Sequence, residues 1–349
     1  MKLIKPIILM LTVSMLLCAV SCGKTDEPRT KTYYEYFDTV SHISSYRKGE
    51  SGSEFSQTCA GLEEIMEKYN RLMDIYHEYE GVNNLATVNR QAGITPVRVS
   101  EELIELVTYG KEAYRITGGE VNIAMGSVIS LWHRSRQAAE KGKAELPSAK
   151  ELEDASEHIS IDSIVIDAEA MTLYISDPHT QIDVGAIGKG YAAERCAEYL
   201  EKRGLGSYVL NFGGNIRVVG SKPDGSGWIT GITDPHKPDG GFAARLTLTD
   251  TSCVTSGSYQ RYFTVGNKKY HHIIDKDTLF PSEHFASVSV ITKDSALADV
   301  LSTALFSMTY EQGLALCGEL QGVEVIWIDT DGRLLATSGI GDISVDKKA

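Results

Sequence analysis

Four segments of this chain set acids, hydroxyls, a lysine or histidines at spacings that could carry chemistry. In Asp294-Ser295-Ala296-Leu297-Ala298-Asp299-Val300-Leu301-Ser302-Thr303, the residues Asp299, Ser302 and Thr303 fall at i, i+3 and i+4, on one face if the segment is helical. A carboxylate beside two hydroxyls is a hard oxygen set, suited to Mg²⁺ rather than zinc. The competing reading returns both hydroxyls to helix carbonyls and leaves Asp299 in solvent. Against it, Val300-Leu301 and Ala304-Leu305-Phe306 are apolar, which sets Asp299 beside a core or a cleft.

The run Ile182-Asp183-Val184-Gly185-Ala186-Ile187-Gly188-Lys189-Gly190 lets backbone groups approach a ligand closely, and a helix beginning there would offer its positive end to phosphate. Lys189 can neutralise a phosphate oxygen, but the spacing is not that of a Walker loop. On its own the run reads equally as a glycine turn with a solvated lysine. Asn211-Phe212-Gly213-Gly214-Asn215, between two short strands, reads as a structural turn or bulge. In Tyr270-His271-His272-Ile273-Ile274-Asp275 the adjacent histidines point to opposite faces of a strand. His272 with Asp275 is a candidate acid/base pair.

These residues need elements to hold them. Thr32 to Tyr46 alternates as a strand. Leu62, Ile65, Met66, Tyr69 and Leu72 recur at helical spacing within Cys59 to Ile75, and a polar loop follows to Asn89. Ser100 caps a helix with acids in its first turn, running to Ile116 before Gly118-Gly119. Ser148 to His158 predicts another helix. Ser163–Ile166 and Met171–Ile175 read as a hairpin. Strands follow at Tyr208–Asn211, Ile216–Val219, Trp228–Thr233, Ala243–Leu248, Arg261–Val265, Tyr270–Ile274, Ala286–Ile291, Glu324–Ile328 and Leu334–Thr337. Helices at Ile187–Arg203 and Ser295–Met308 interrupt them. Without a regular βαβ repeat, α+β is the expected class.

The 349 residues are 42% hydrophobic and 23% charged, ordinary for a globular protein of about two domains or lobes. A net charge of −13, from 47 acidic against 34 basic residues, argues against a nucleic-acid partner, because no basic stripe is available to displace counterions. Any phosphorylated substrate must therefore be met locally, by a metal, a few lysines or backbone N–H groups. Lys2 and Lys5 precede an apolar run from Pro6 to Val20, flanked like a signal peptide. Its end, Ala19-Val20-Ser21-Cys22, looks like a bacterial lipoprotein processing site: residues 1–21 are removed, Cys22 is lipidated, and 22–31 form a polar tether to a domain over 32–349. Cys59, Cys196, Cys253 and Cys317 form no C-x-x-C pair, so neither zinc nor redox chemistry is indicated; Cys196 sits on an apolar helix face.

Taken together, the segments resemble the ApbE family, the FAD:protein FMN transferases. The likeness rests on Phe37-Asp38-Thr39, Met73-Asp74-Ile75-Tyr76, Asn122-Ile123-Ala124-Met125-Gly126-Ser127, Leu131-Trp132-His133, Asp183 to Gly190, Asn211 to Asn215, Thr255 to Arg261, His272 to Asp275 and Asp299 to Leu305. It implies an α+β fold of two lobes with FAD in the cleft between them. It implies Mg²⁺ held by the Ala186 carbonyl, Asp299 and Thr303, with Ser302 also a candidate ligand. FAD is expected against Asp183, Lys189, Ala124, Met125, Gly126 and Ile273, covered by a tyrosine that is either Tyr76 or Tyr79. Asp275-Lys276-Asp277-Thr278-Leu279 departs from the family's Asp-Pro-x-Thr-Gly, which alters that turn. The resemblance further implies FMN transfer to a Thr or Ser of an acceptor flavoprotein, among membrane redox complexes whose flavin subunits face the exported side. His272 would take the hydroxyl proton and Asp275 would orient it. The alternatives are an Mg²⁺-dependent FAD pyrophosphatase, and a non-catalytic flavin-binding lipoprotein.

Overall fold

The computed structural model describes residues 27–237 and 241–340. The signal segment 1–21 and Cys22 lie outside them. An eight-stranded antiparallel sheet runs in the order β1 (Arg29–Tyr33), β2 (Ser41–Ser45), β6 (Tyr208–Phe212), β7 (Asn215–Val219), β10 (Ser252–Gly257), β13 (Phe285–Thr292), β14 (Glu324–Asp329) and β15 (Leu334–Ala336). Smaller sheets are β3 (Val97–Arg98) with β5 (Thr172–Ile175) and β4 (Ile164–Asp167), and the ribbons β8 (Trp228–Thr233) with β9 (Phe242–Leu248) and β11 (Tyr262–Val265) with β12 (Lys268–His271).

Two-residue alternation divides the large sheet between two cores. Val325 and Trp327 of β14 join the main cluster, while Ile326 and Ile328 face a second cluster with Trp228, Leu246 and Leu248 of the β8–β9 ribbon. The main cluster is closed by α1 (Gly52–Met73), α3 (Glu101–Ile116), α6 (Gly188–Lys202) and α7 (Ser295–Ser307). Each fully buried large side chain there, such as Phe306, contributes about 1.5–3 kcal/mol. A third cluster of Met125, Val128, Trp132, Leu152 and Phe263 joins α4 (Gly126–Glu140), α5 (Ala149–Ser156) and the β11–β12 ribbon. The remaining helices are α2 (Leu85–Arg90) and α8 (Tyr310–Glu319). Mixed helices and antiparallel sheets make the fold α+β, as the sequence predicts.

Several local expectations change. Thr32 to Tyr46 is not one strand: β1 and β2 pair antiparallel, and between them Phe37 and Asp38 take left-handed φ of 58° and 51°. Because β1 begins at Arg29, the end of the expected tether is part of the sheet. The strand expected to Ile274 stops at His271. The loop to Asn89 contains α2, and α4 and α8 were not anticipated. The four cysteines beyond Cys22 are all buried free thiols.

Candidate active site

The site is built where α6 and α7 cross. Four N–H groups at the start of any α-helix lack an intrahelical partner. At α6 one of them, Gly190 N–H, donates to Asp299 Oδ2 of α7 at 2.7 Å. Glycine is required there, because a Cβ on residue 190 would lie 2.3 Å from Ser295 O and 2.4 Å from Asp299 Cβ. The close crossing buries Asp299 to 3% exposure and sets its Oδ1 3.8 Å from Lys189 Nζ. Thr303, one turn along α7, and Ala186, just before α6, open onto the same cavity.

That cavity has a volume of about 730 Å³. Its walls come from the α6 entry (Asp183, Gly185, Ala186), the β6–β7 turn (Gly213, Gly214), β10 (Thr255, Ser256), α4 (Ile129, His133) and the segment after β12 (His272, Ile273). The β6–β7 turn is the hairpin that the sequence implied, with φ of 61° at Gly213 and 96° at Gly214, and it also lines the cavity. Gly213 is pressed so close to Thr39 that a Cβ would reach 2.2 Å from Thr39 Oγ1. Three cationic side chains, Lys189, Arg136 and Arg261, line the cavity beside four carboxylates, Asp38, Glu120, Asp183 and Asp299.

The donor set fits Mg²⁺. Asp299, Thr303 and the Ala186 carbonyl are hard oxygens around one cavity, and Oδ1 of Asp299 is not used by the helix cap. Among the described residues no group of three or more His, Cys, Asp or Glu could form a metal cage of its own. Ser302 stands apart from this set. It is fully buried, its hydroxyl donates to Asp299 O at 3.0 Å and meets Ser256 Oγ at 2.8 Å, and it does not line the cavity. Its place off the cavity lining, and not that bond, sets it apart, since a hydroxyl that donates its proton still has lone pairs.

His272 and Asp275 are not a pair. The Nδ1 of His272 contacts the Arg261 carbonyl at 3.2 Å; a carbonyl only accepts, so Nδ1 carries the proton and Nε2 keeps a lone pair. Asp275 Oδ1 instead accepts from Thr278 N at 2.7 Å and Asp277 N at 3.0 Å, closing its own turn, and faces a neighbouring cavity. Solvent reaches the His272 ring from the cleft, yet the surrounding walls desolvate it, and with the Lys189 and Arg261 charges they lower its pKa to about 3.

The two candidate tyrosines also separate. Tyr76 lines a smaller adjoining cavity with Gly126, His133 and Asp183, and its hydroxyl meets His133 Nδ1. Tyr79 donates to Asp74 Oδ2 at 2.7 Å and lies under Arg71, away from both cavities. Met125 and Ile273 line the main cavity, whereas Ala124 is buried behind it. Sequence reasoning gave no role to Arg136, whose buried Nε has no partner, or to Arg261, which holds Asp38 O and lies 3.5 Å from Asp38 Oδ2. The unpredicted α4 hid the first; the second ends the Thr255 to Arg261 segment, whose residue types alone assign it no role.

The sequence profile described as the ApbE family matches residues 37–327. The chain belongs to the ApbE family. Among relatives, it is 31% identical over 346 residues to the FAD:protein FMN transferase of Treponema pallidum (strain Nichols), covering 94% of this chain and 92% of that one. It is 26% identical over 275 residues to the FAD:protein FMN transferase of Klebsiella pneumoniae (strain 342), covering 78% and 84%. Among solved structures, the ApbE protein of Thermotoga maritima superposes with a TM-score of 0.78 at 24% identity, over 89% of this chain and 97% of that one, which establishes the fold. The flavin transferase ApbE of Vibrio cholerae gives 0.74 at 25% identity, over 90% and 98%. The three surfaces that meet at the cavity, the α6–α7 crossing, the β6–β7 turn and the segment after β12, all fall inside the span matched by the ApbE profile.

Proposed function

We propose that this chain is an FAD:protein FMN transferase that uses Mg²⁺ to split FAD and attach FMN to a Thr or Ser of an acceptor flavoprotein. The observation that carries the mechanism is one cavity joining Asp299, Thr303, Ala186, Lys189 and His272. When bound, Mg²⁺ supplies charge offset at the pyrophosphate. Lys189 adds a fixed cation beside it, and the N-terminus of α6 a partial positive charge. His272 Nε2 accepts the proton of the attacking hydroxyl; its imidazole is held by the Arg261 carbonyl. The new bond joins the acceptor oxygen to the FMN-side phosphorus, the pyrophosphate P–O bond breaks, and AMP leaves with the electron pair. Asp183, Tyr76, Met125 and Ile273 are assigned to hold FAD.

Incubation with FAD, Mg²⁺ and an acceptor domain, followed by intact mass, tests this reading. The acceptor should gain the mass of FMN less water. Free FMN with no gain on the acceptor would mean that water is the nucleophile, a reaction the same residues could serve through an open cleft.

We also propose export and anchoring through a lipidated Cys22, with the domain facing acceptors in membrane redox complexes. The signal-like run ending Ala19-Val20-Ser21-Cys22 supports this. Among the described residues no helix is long and apolar enough to cross a membrane. A Cys22→Ser variant should leave the membrane fraction; unchanged fractionation would remove the anchor.

A further inference from the structure

We infer that Glu194 is a positioning residue for the cation site, fixing α7 against α6 so that Asp299 and Thr303 meet Ala186. The inference rests on the Mg²⁺ reading above. Glu194 lies one turn beyond Gly190 on α6 and is only 7% exposed. Its Oε2 accepts the N–H of Ser295, the first residue of α7, at 2.7 Å. One turn beyond Ser295, Asp299 accepts Gly190 N–H at the same distance, 2.7 Å. Each helix therefore caps a first-turn amide of the other with a carboxylate one turn further in. One such contact would leave a pivot; two, a turn apart, fix both separation and slide.

The neighbouring contacts show that Ser295 depends on Glu194. Asp294 Oδ1 caps Ala296 N at 2.7 Å and Leu297 N at 3.1 Å, and Ala298 N reaches Asp294 O at 3.0 Å. Ser295 N–H has Glu194 as its acceptor. Glu194 is in turn held by Arg217 Nε at 3.4 Å, and fully buried Arg217 is fixed by Glu201 at 2.7 Å and Asp250 at 3.3 Å. Burial raises the Glu194 pKa and the Arg217 charge opposes that rise. Mg²⁺ demands donors at nearly fixed distances, so a small slide of α7 separates Asp299 and Thr303 from Ala186.

Mn²⁺ binding to the full chain without FAD, measured by calorimetry, tests this. The wild type should bind, and Asp299→Asn should lose the site. Glu194→Ala should bind roughly 10- to 100-fold more weakly, the usual effect of removing a support behind a metal ligand. Glu194→Gln keeps an acceptor for Ser295 N–H and should stay close to wild type. Ser295→Pro removes the donor from the other side. Proline suits the first helical position and Asp294 is already extended (φ −80°, ψ 117°), but Ser295 is fully buried against Glu194, so a urea midpoint taken alongside separates loss of the bond from overpacking by the ring. It should weaken binding as Glu194→Ala does. No Mn²⁺ binding by the wild type would defeat the metal reading itself. Binding lost in Asp299→Asn but unchanged in both Glu194→Ala and Ser295→Pro overturns the role of Glu194. So does Glu194→Gln as weak as Glu194→Ala, since charge and not the bond to Ser295 would then be the lever.

Discussion

Replacing Gly190 by alanine probes the geometry on which the site depends. The new methyl would fall 2.3 Å from Ser295 O and 2.4 Å from Asp299 Cβ, and the first of these is backbone that no rotamer change can move. Ordinary contact needs roughly 1 Å more, so α7 must shift away from α6 by about that amount, at about 1–3 kcal/mol for overpacking. The same shift stretches the 2.7 Å bond from Gly190 N to the Asp299 carboxylate, a charged hydrogen bond of about 1.5–3 kcal/mol. The better helix propensity of alanine returns up to about 1 kcal/mol. The net expectation is destabilisation of about 1.5–5 kcal/mol, read as a lower urea midpoint, with Mg²⁺-dependent FAD cleavage falling further than stability alone explains. Gly318→Ala is the control: it sits on α8 with nothing within 4 Å of the added methyl and should be neutral or slightly stabilising. Wild-type stability and cleavage in Gly190→Ala would refute the reasoning that the close crossing makes the site.

Three further outcomes follow from the geometry. Thr303→Val should weaken Mn²⁺ binding at least about tenfold, the loss of one oxygen donor, whereas Ser302→Ala should leave it nearly unchanged; calorimetry separates them, and the reverse order would exchange their roles. Lys189→Met should raise KM for FAD by about 10- to 100-fold, the scale of one charged hydrogen bond, in a steady-state cleavage assay. His272 is neutral above its lowered pKa of about 3, so it should impose no limb on kcat/KM between about pH 6 and 8, and activity through it should fail only in strong acid. The unfolded chain, with its histidine near the ordinary value of about 6.5, binds that proton first. Stability should accordingly fall as pH drops from there toward about 3, the folded-state value. A rate limb near neutrality that vanishes in His272→Asn would contradict the assignment.

The parts of the fold that were legible are those with a local cause. Ser100 with Glu101 and Glu102 announces α3, and its side chain does cap Leu103 N. Apolar spacing marks α1, although the capping box of Ser51 and Glu54 starts it earlier than the spacing alone suggests. The β1–β2 turn was missed because Phe37 and Asp38 reverse the chain in a conformation that no glycine advertises. The entry to α4 has no side-chain cap at Met125, which left Arg136 without an element to carry it. The capping box of Thr309 and Gln312 was a usable signal for α8. In the site, Asp299 and Thr303 were readable from helical spacing, but Ser302, one residue away, turns inward. Asp275 failed as a partner of His272 because nearby turn amides claim its carboxylate first.

Asp299 and Gly190 stand 109 residues apart along the chain, and Glu194 and Ser295 stand 101 apart. Each bond joins distant parts of the chain, so the unfolded polypeptide does not hold the donor oxygens together. On the proposed metal reading, divalent cation would act on the folding equilibrium as well as on FAD. At a concentration about a hundred times its Kd it would add roughly 2.7 kcal/mol in favour of the closed fold. Removing divalent cation should therefore lower the urea midpoint, and adding it back should restore it.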